Sequence, residues 1–325
     1  MIKNTEKTIN KSEAAKKAAK KELREMNLLD NFLFGSVITY PEIGERFVRS
    51  LLKILLGKEF EHLSVTAQKV FYGTDSNLHG TRLDVYIEPE VEKQSEETAT
   101  VYDIEPDKNS TVEDRKALPR RMRFYHAKIA AKSLNSGAGY DELKNVIIIM
   151  IMPYDPFGLN RMVYTVKNKC VEVPEMPYED GSGTLFLYTK GTEGVPNEAV
   201  RQLLYYMENT VYENAVNEDL REIHRIVETV KEDSEIMLVH LRMQEEFKRK
   251  RAEGRAAGKA EGEFLNKITL ICKKLKKNKT LEEIADDLEE DVFSIEPLYN
   301  MTKEFAPDYD PESILERLKI DNLNG

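Results

Sequence analysis

Two short acidic segments carry the side chains best suited to chemistry: Thr81-Arg82-Leu83-Asp84-Val85-Tyr86 and Val101-Tyr102-Asp103-Ile104-Glu105-Pro106-Asp107-Lys108. Successive residues of an extended strand face opposite sides, so Leu83 and Val85 are expected to enter a core while Asp84 faces away. In the second segment Tyr102 and Ile104 oppose Asp103 and Glu105 in the same way. If the strands are neighbours, Asp84 and Glu105 meet on one side of the sheet, with Asp107 just beyond. Hard divalent cations such as Mg²⁺ are held by one or two such carboxylates together with waters and phosphate oxygens. Acidic residues at strand ends are also common in a chain this charged, and spacing alone leaves both readings standing.

The charge that would face a phosphate follows directly in sequence. The chain as a whole has a net charge of −10, yet Arg115 through Lys132 holds seven basic residues and no acidic one. Leu118, Met122, Tyr125 and Ile129 recur at helical spacing and define a buried stripe. Leu118-Pro119 is read as the opening of this helix, because proline suits a first turn. Arg121, Lys128 and Lys132 flank the stripe, and Arg120 and Arg123 turn to the back. Such a helix can neutralise backbone phosphates beside the carboxylates, or simply present a solvated basic face. A lone His126 on it reads most simply as an ordinary surface residue.

From Asn27 to Tyr188 the chain resembles the PD-(D/E)XK nuclease family transposases, also called recombination-promoting nucleases. Asn27-Leu28-Leu29-Asp30-Asn31-Phe32-Leu33-Phe34 resembles the family's opening, a polar residue and two aromatics before the first helix, and Leu51 to Gly57 resembles the end of that helix. Arg82-Leu83-Asp84-Val85 is similar to the aspartate strand, and Tyr102-Asp103-Ile104-Glu105 to the glutamate strand. Leu118 to Tyr125 is similar to the arginine-rich helix, and Tyr140 to Met152, followed by Pro153-Tyr154-Asp155-Pro156-Phe157-Gly158, to the last core strand and its exit. The resemblance implies a restriction-endonuclease-like core and a DNA endonuclease that uses Mg²⁺ or Mn²⁺ and promotes recombination. It further implies Asp84 and Glu105 as metal ligands and Arg120, Arg121, Arg123 and Lys128 on the DNA backbone; Asp107 is a candidate third ligand and Lys108 the candidate for positioning water.

One departure bears on activity. The family usually carries Glu-x-Gln, and the wider superfamily Glu-x-Lys, where this chain reads Glu105-Pro106-Asp107 with Lys108 one place later. Position 107 is thus a carboxylate that adds a candidate ligand, and Lys108 must swing round after a break in the strand at Pro106. The alternative reading is an inactive nuclease fold that binds DNA or self-associates.

The elements that must position these residues can be read around them. Residues 1–26 form a charged helical extension. Pro41-Glu42-Ile43-Gly44-Glu45 opens a helix whose apolar residues run to Gly57, a natural C-cap. Glu45 on its first turn is an extra candidate ligand, or a favourable charge at a helix N-terminus. Strands are expected near Leu63–Tyr72, Arg82–Glu88, Thr98–Glu105, Val146–Met152 and Thr184–Tyr188, with Arg161–Val166 paired to Cys170–Val173 across Lys167-Asn168-Lys169. The core, residues 27–190, is therefore α/β with a mixed central sheet flanked by helices.

Beyond residue 197 the pattern is helical: residues 197–262 end in a link with glycine every four residues, and 263–325 form a small helical unit. Thr280 and Glu283 make a capping box on what resembles the first helix of a helix-turn-helix. Lys248 to Lys279 carries twelve basic and three acidic residues, enough to track DNA, but the next helix is acid-flanked, which favours packing or homo-oligomerisation. With 41% hydrophobic residues the chain can bury one full core and a second small unit. No apolar run approaches membrane-spanning length and only Cys170 and Cys272 occur, so no membrane partner, no structural zinc and a cytoplasmic location are expected.

Overall fold

A computed structural model describes residues 2–60, 63–71, 81–89 and 99–324; the side chains of 2–12, 67–71, 81–84, 89 and 320–324 lie outside that description. The chain divides into two compact units, Met1–Leu241 and Arg242–Gly325. The first is built on a mixed six-stranded sheet: β1 (Leu63–Phe71), β2 (Thr81–Pro89), β3 (Thr100–Pro106), β4 (Asn145–Met152), β5 (Val163–Lys167) and β6 (Ser182–Tyr188), in the order β1-β2-β3-β4-β6-β5. Strands β3, β4 and β6 run parallel, and the outer pairs are antiparallel. β4 has strand neighbours on both edges and apolar side chains on both faces, as its uninterrupted Val/Ile/Met run requires.

The two faces of the sheet bury different layers. On one, Val85, Ile87, Tyr102, Ile104, Ile149 and Ile151 meet α2 (Asn31–Thr39), α3 (Gly44–Leu56), α5 (Glu198–Glu208) and α6 (Glu218–Glu232). On the other, Tyr86, Val101, Val146, Ile148 and Met150 meet Leu118, Met122 and Ile129 of α4 (Val112–Ser133). Full burial of side chains of this size stabilises by about 1.5–3 kcal/mol each. Helices α5 and α6 thus share the sheet's core. Leu203, Tyr206, Met207, Ile223, Ile226, Val227 and Val230 are all buried, whereas Val211 is exposed because α5 ends at Glu208.

Several boundaries differ from expectation. α4 starts at Val112, with Thr111 capping and Glu113 and Asp114 in the first turn, so Pro119 sits inside the helix and not at its opening. The cap and two acidic residues offer a better helix start than proline does. The aromatics Phe32 and Phe34 lie within α2, whose N-cap Asp30 accepts from the Phe32 and Leu33 amides. Cys170–Val173 forms no strand; β5 pairs with β6 instead, satisfying its backbone on a buried neighbour. Ala19 and Leu23 of α1 (Ile2–Glu25) are fully buried, and Lys231 of α6 donates to the Arg24 carbonyl at 3.1 Å near the C-terminus of α1. Burial lowers the Lys231 pKa, and Glu228 opposes that shift.

The second unit contains most of α7 (Ser234–Leu275), with α8 (Leu281–Asp287), α9 (Val292–Glu304) and α10 (Pro311–Asn324). Ile268, Ile271, Cys272 and Leu275 pack with Ile284, Ile295, Leu298 and Ile314. The expected capping box is present: Glu283 donates its amide to Thr280 Oγ1 at 3.3 Å, and the Thr280 amide donates to Glu283 Oε2 at 2.8 Å. Gly254, Gly258 and Gly262 lie inside the continuous α7, and the chain divides before them at Leu241/Arg242.

Two glycines around α3 make a paired test. Gly57 caps the helix at φ +66° with open space where a Cβ would stand, whereas a Cβ on Gly44 would lie 2.1 Å from the Ile38 carbonyl oxygen. Gly57→Ala should cost about 1–2 kcal/mol from left-handed strain alone. Gly44→Ala should cost about 3 kcal/mol or more from backbone overlap. Urea unfolding followed by circular dichroism ranks them.

Candidate functional site

The carboxylates sit where β3 ends. Alternation along β3 sends Tyr102 and Ile104 into one core and leaves Asp103, Glu105 and Asp107 on the α4 side, all buried at 0%, 7% and 5% exposure. Pro106 does not break the strand. It remains in register with Ile151, and the Asp107 amide extends the pairing by donating to the Ile151 carbonyl at 2.9 Å. The chain turns one residue later than expected, where the Asn109 amide donates to Asp107 Oδ1 at 2.8 Å.

Asp84 is named by the sequence as the second ligand, and its side chain lies outside the described residues. Its backbone position is informative. β2 and β3 are antiparallel with Tyr86 opposite Asp103 and Ile87 opposite Tyr102, and the same register carried two residues further sets position 84 opposite Glu105. Tyr86 donates to Glu88 at 2.7 Å, and Lys144 pairs with Glu88 at 2.9 Å.

α4 supplies the opposing charge. Arg121 forms an ion pair with Asp107 Oδ2, and Tyr154, on the exit from β4, donates to the same oxygen at 3.3 Å. Burial works against the charge on Arg121, but the bond to Asp107 and the nearby Glu105 outweigh it and hold the guanidinium charged. Burial first, and then Asp107, push the Tyr154 hydroxyl pKa up, so it stays a donor. Arg120 and Arg123 are exposed, and Lys128 is half-buried with its ammonium 5.4 Å from the centre of the Phe124 ring.

The remaining expected residues lie elsewhere. Lys108 pairs with Asp30, the N-cap of α2, at 3.7 Å. Glu45 pairs with Arg49 one turn along α3, a helix packed on the opposite face of the sheet from α4. The site thus gathers Glu105, Asp107 and Arg121, and adds Asp103 and Tyr154. The alternation that places Glu105 also places Asp103, so Asp103 was within reach of sequence reasoning. Tyr154 carries no such signal, since it lies in an irregular exit.

Among the described residues no group of three or more His, Cys, Asp or Glu side chains is arranged to hold a metal ion. Donor chemistry gives a finer answer. Glu105 is a hard oxygen donor of the kind Mg²⁺ and Mn²⁺ select, and position 84 is level with it. Asp107 fits the same ion only once Arg121 leaves its Oδ2, which can keep the bond from Tyr154 and still offer a lone pair. Among the described residues no helix is long and apolar enough to cross a membrane. Comparison of the chain with protein-family models, curated proteins and solved structures returned no match.

His126 is not the surface residue expected. It is half-buried on α4, with Nε2 2.8 Å from Thr184 Oγ1 and Nδ1 3.1 Å from Ser182 Oγ, which ties α4 to β6. Burial lowers its pKa below 6.5, with Asp180 opposing, and His224 is likewise lowered, chiefly by burial. The unfolded chain therefore binds more protons as pH falls through 6.5, and stability declines on the acid side. Thermal melts at pH 7.5 and 5.5 should show His126→Gln losing less stability over that interval than the native chain, with the His224 contribution remaining.

Proposed function

We propose that the chain is a divalent-metal-dependent DNA endonuclease of the PD-(D/E)XK transposase-like group, with a restriction-endonuclease-like core, hydrolysing phosphodiester bonds. The observation that carries the reading is the convergence of the buried Glu105 and Asp107 at the end of β3 with Arg121 of α4, a helix on that same face that also presents the exposed Arg120 and Arg123. The order of the segments, from the aspartate strand to the arginine helix, supports it through the resemblance already described. Promotion of recombination is part of the proposal through that resemblance alone.

In this reading Glu105 and Asp84 hold Mg²⁺ or Mn²⁺, with Asp107 joining them. The bound ion lowers the pKa of a water and offsets charge on the phosphate. Arg120 and Arg123, exposed on α4, hold the DNA backbone, and Lys128 adds a further cation. Lys108 orients the attacking water after leaving Asp30, a loose pairing that a flexible side chain gives up at small cost. No covalent nucleophile is required.

A second reading, an inactive fold that binds DNA or self-associates through its helical C-terminal region, is favoured by one observation. Both oxygens of Asp107 already accept hydrogen bonds, from Asn109 on one side and from Arg121 and Tyr154 on the other.

Supercoiled plasmid nicking separates the two. With Mg²⁺ or Mn²⁺ the native protein should nick and EDTA should stop it. The near-isosteric Glu105→Gln should cost more than roughly a hundredfold, the upper end of what a change behind the ligands costs. Absence of cleavage by folded protein under either metal selects the inactive reading. Replacing Arg120 and Arg123 by Gln should flatten the salt dependence of DNA affinity by about 0.9 in log–log slope per lost phosphate contact. An unchanged slope would remove these two residues from the interface.

A further inference from the structure

Asp107 and Arg121 are each suited to a second partner. Asp107 is only 5% exposed and belongs to the same strand end as Glu105, yet its Oδ2 is taken by Arg121 and Tyr154. The Arg121 side chain is 28% exposed, flanked in sequence by the exposed Arg120 and Arg123, and its Nε is buried without a hydrogen-bond partner among the described residues. A guanidinium holding one carboxylate oxygen has donors to spare, and a phosphate offers the paired oxygens that its planar fork matches.

We propose that Arg121 is a phosphate-responsive latch on the metal site: a DNA phosphate draws its guanidinium from Asp107, and the released carboxylate becomes a ligand of the divalent cation. A nearly buried carboxylate that loses its partner cation is left uncompensated, which favours a replacement cation. Phosphate binding and cation binding are then positively linked, each raising the affinity for the other by the same factor. The cation site remains incomplete until DNA arrives. This inference rests on the reading of Glu105 as a metal ligand.

Mn²⁺ binding to the full chain, followed by the electron paramagnetic resonance of free Mn²⁺ without DNA, tests it. Arg121→Gln should bind Mn²⁺ roughly tenfold more tightly than the native chain, within the ordinary range of coupling between sites. Asp107→Asn and the Arg121→Gln/Asp107→Asn double variant should show no such gain. Arg121→Lys, which keeps the charge and loses the fork, should fall between and serves if Arg121→Gln fails to fold by circular dichroism. In a second arm, Ca²⁺ should tighten binding of a short labelled duplex to the native chain, and Asp107→Asn should lose most of that gain. If Arg121→Gln and Arg121→Lys match the native chain while Glu105→Gln weakens Mn²⁺ binding, the latch is wrong and the metal site stands. If Glu105→Gln binds Mn²⁺ as the native chain does, the metal site itself is wrong and the latch falls with it.

Discussion

Everything at the candidate site depends on the two-residue alternation of β3 being held without slippage. β3 lies between β2 and β4, and a shift of one residue would bury Ile104 where Glu105 stands and expose the carboxylates' face to the wrong core. The parallel ladder to β4 prevents this. Thr100 through Pro106 pair one to one with Asn145 through Ile151, and β4 is apolar on both faces. Its two faces therefore constrain β3 from both layers at once. Ile149 and Ile151 fix the side of Tyr102 and Ile104, while Ile148 and Met150 fix the side of Asp103 and Glu105.

α4 closes that second layer and carries charge into it. Leu118, Met122 and Ile129 seat the helix on the sheet, and His126 ties it to β6 through two hydroxyls. With the helix seated, Arg121 meets Asp107 in a largely dehydrated setting. A buried ion pair of this kind contributes little net stability because each partner loses its hydration, but removing one partner strands the other at a cost of about 3–5 kcal/mol. The pair therefore resists loss of either partner.

The sequence made some of this legible for identifiable reasons. β4 was readable because a continuous Val/Ile/Met run has one stable home, a buried central strand, and the face split of β3 was readable because alternation is strict. The capping box at Thr280 and the C-cap at Gly57 were readable because each is a local device that needs no tertiary partner. The start of α4 was hidden because proline is also tolerated inside a helix when packing compensates, and Leu118 beside it is buried in the core. The pairing of β5 was hidden because turn residues suggest a hairpin without saying which strand lies nearest. Arg121 was legible as a cation on the correct helix, but its choice of Asp107 over a phosphate depends on the distance between two elements, which periodicity does not encode.

The departure at Glu105-Pro106-Asp107-Lys108 acquires a physical meaning in this setting. Proline lacks an amide hydrogen, so it is expected to end pairing where it stands, yet here the next amide, that of Asp107, reaches the Ile151 carbonyl and carries the ladder past it. The turn is deferred to Asn109, whose amide closes on Asp107 Oδ1. Asp107 consequently keeps the strand's alternation and shares the side of Glu105, and Lys108, the first residue beyond, reaches Asp30 at the start of α2. Alternation carried past the proline thus sends a carboxylate and an ammonium that are adjacent in sequence to different partners. A lysine at position 107 in the same backbone would lie on the Glu105 side, so the chemistry of the motif turns on which residue occupies that one strand position.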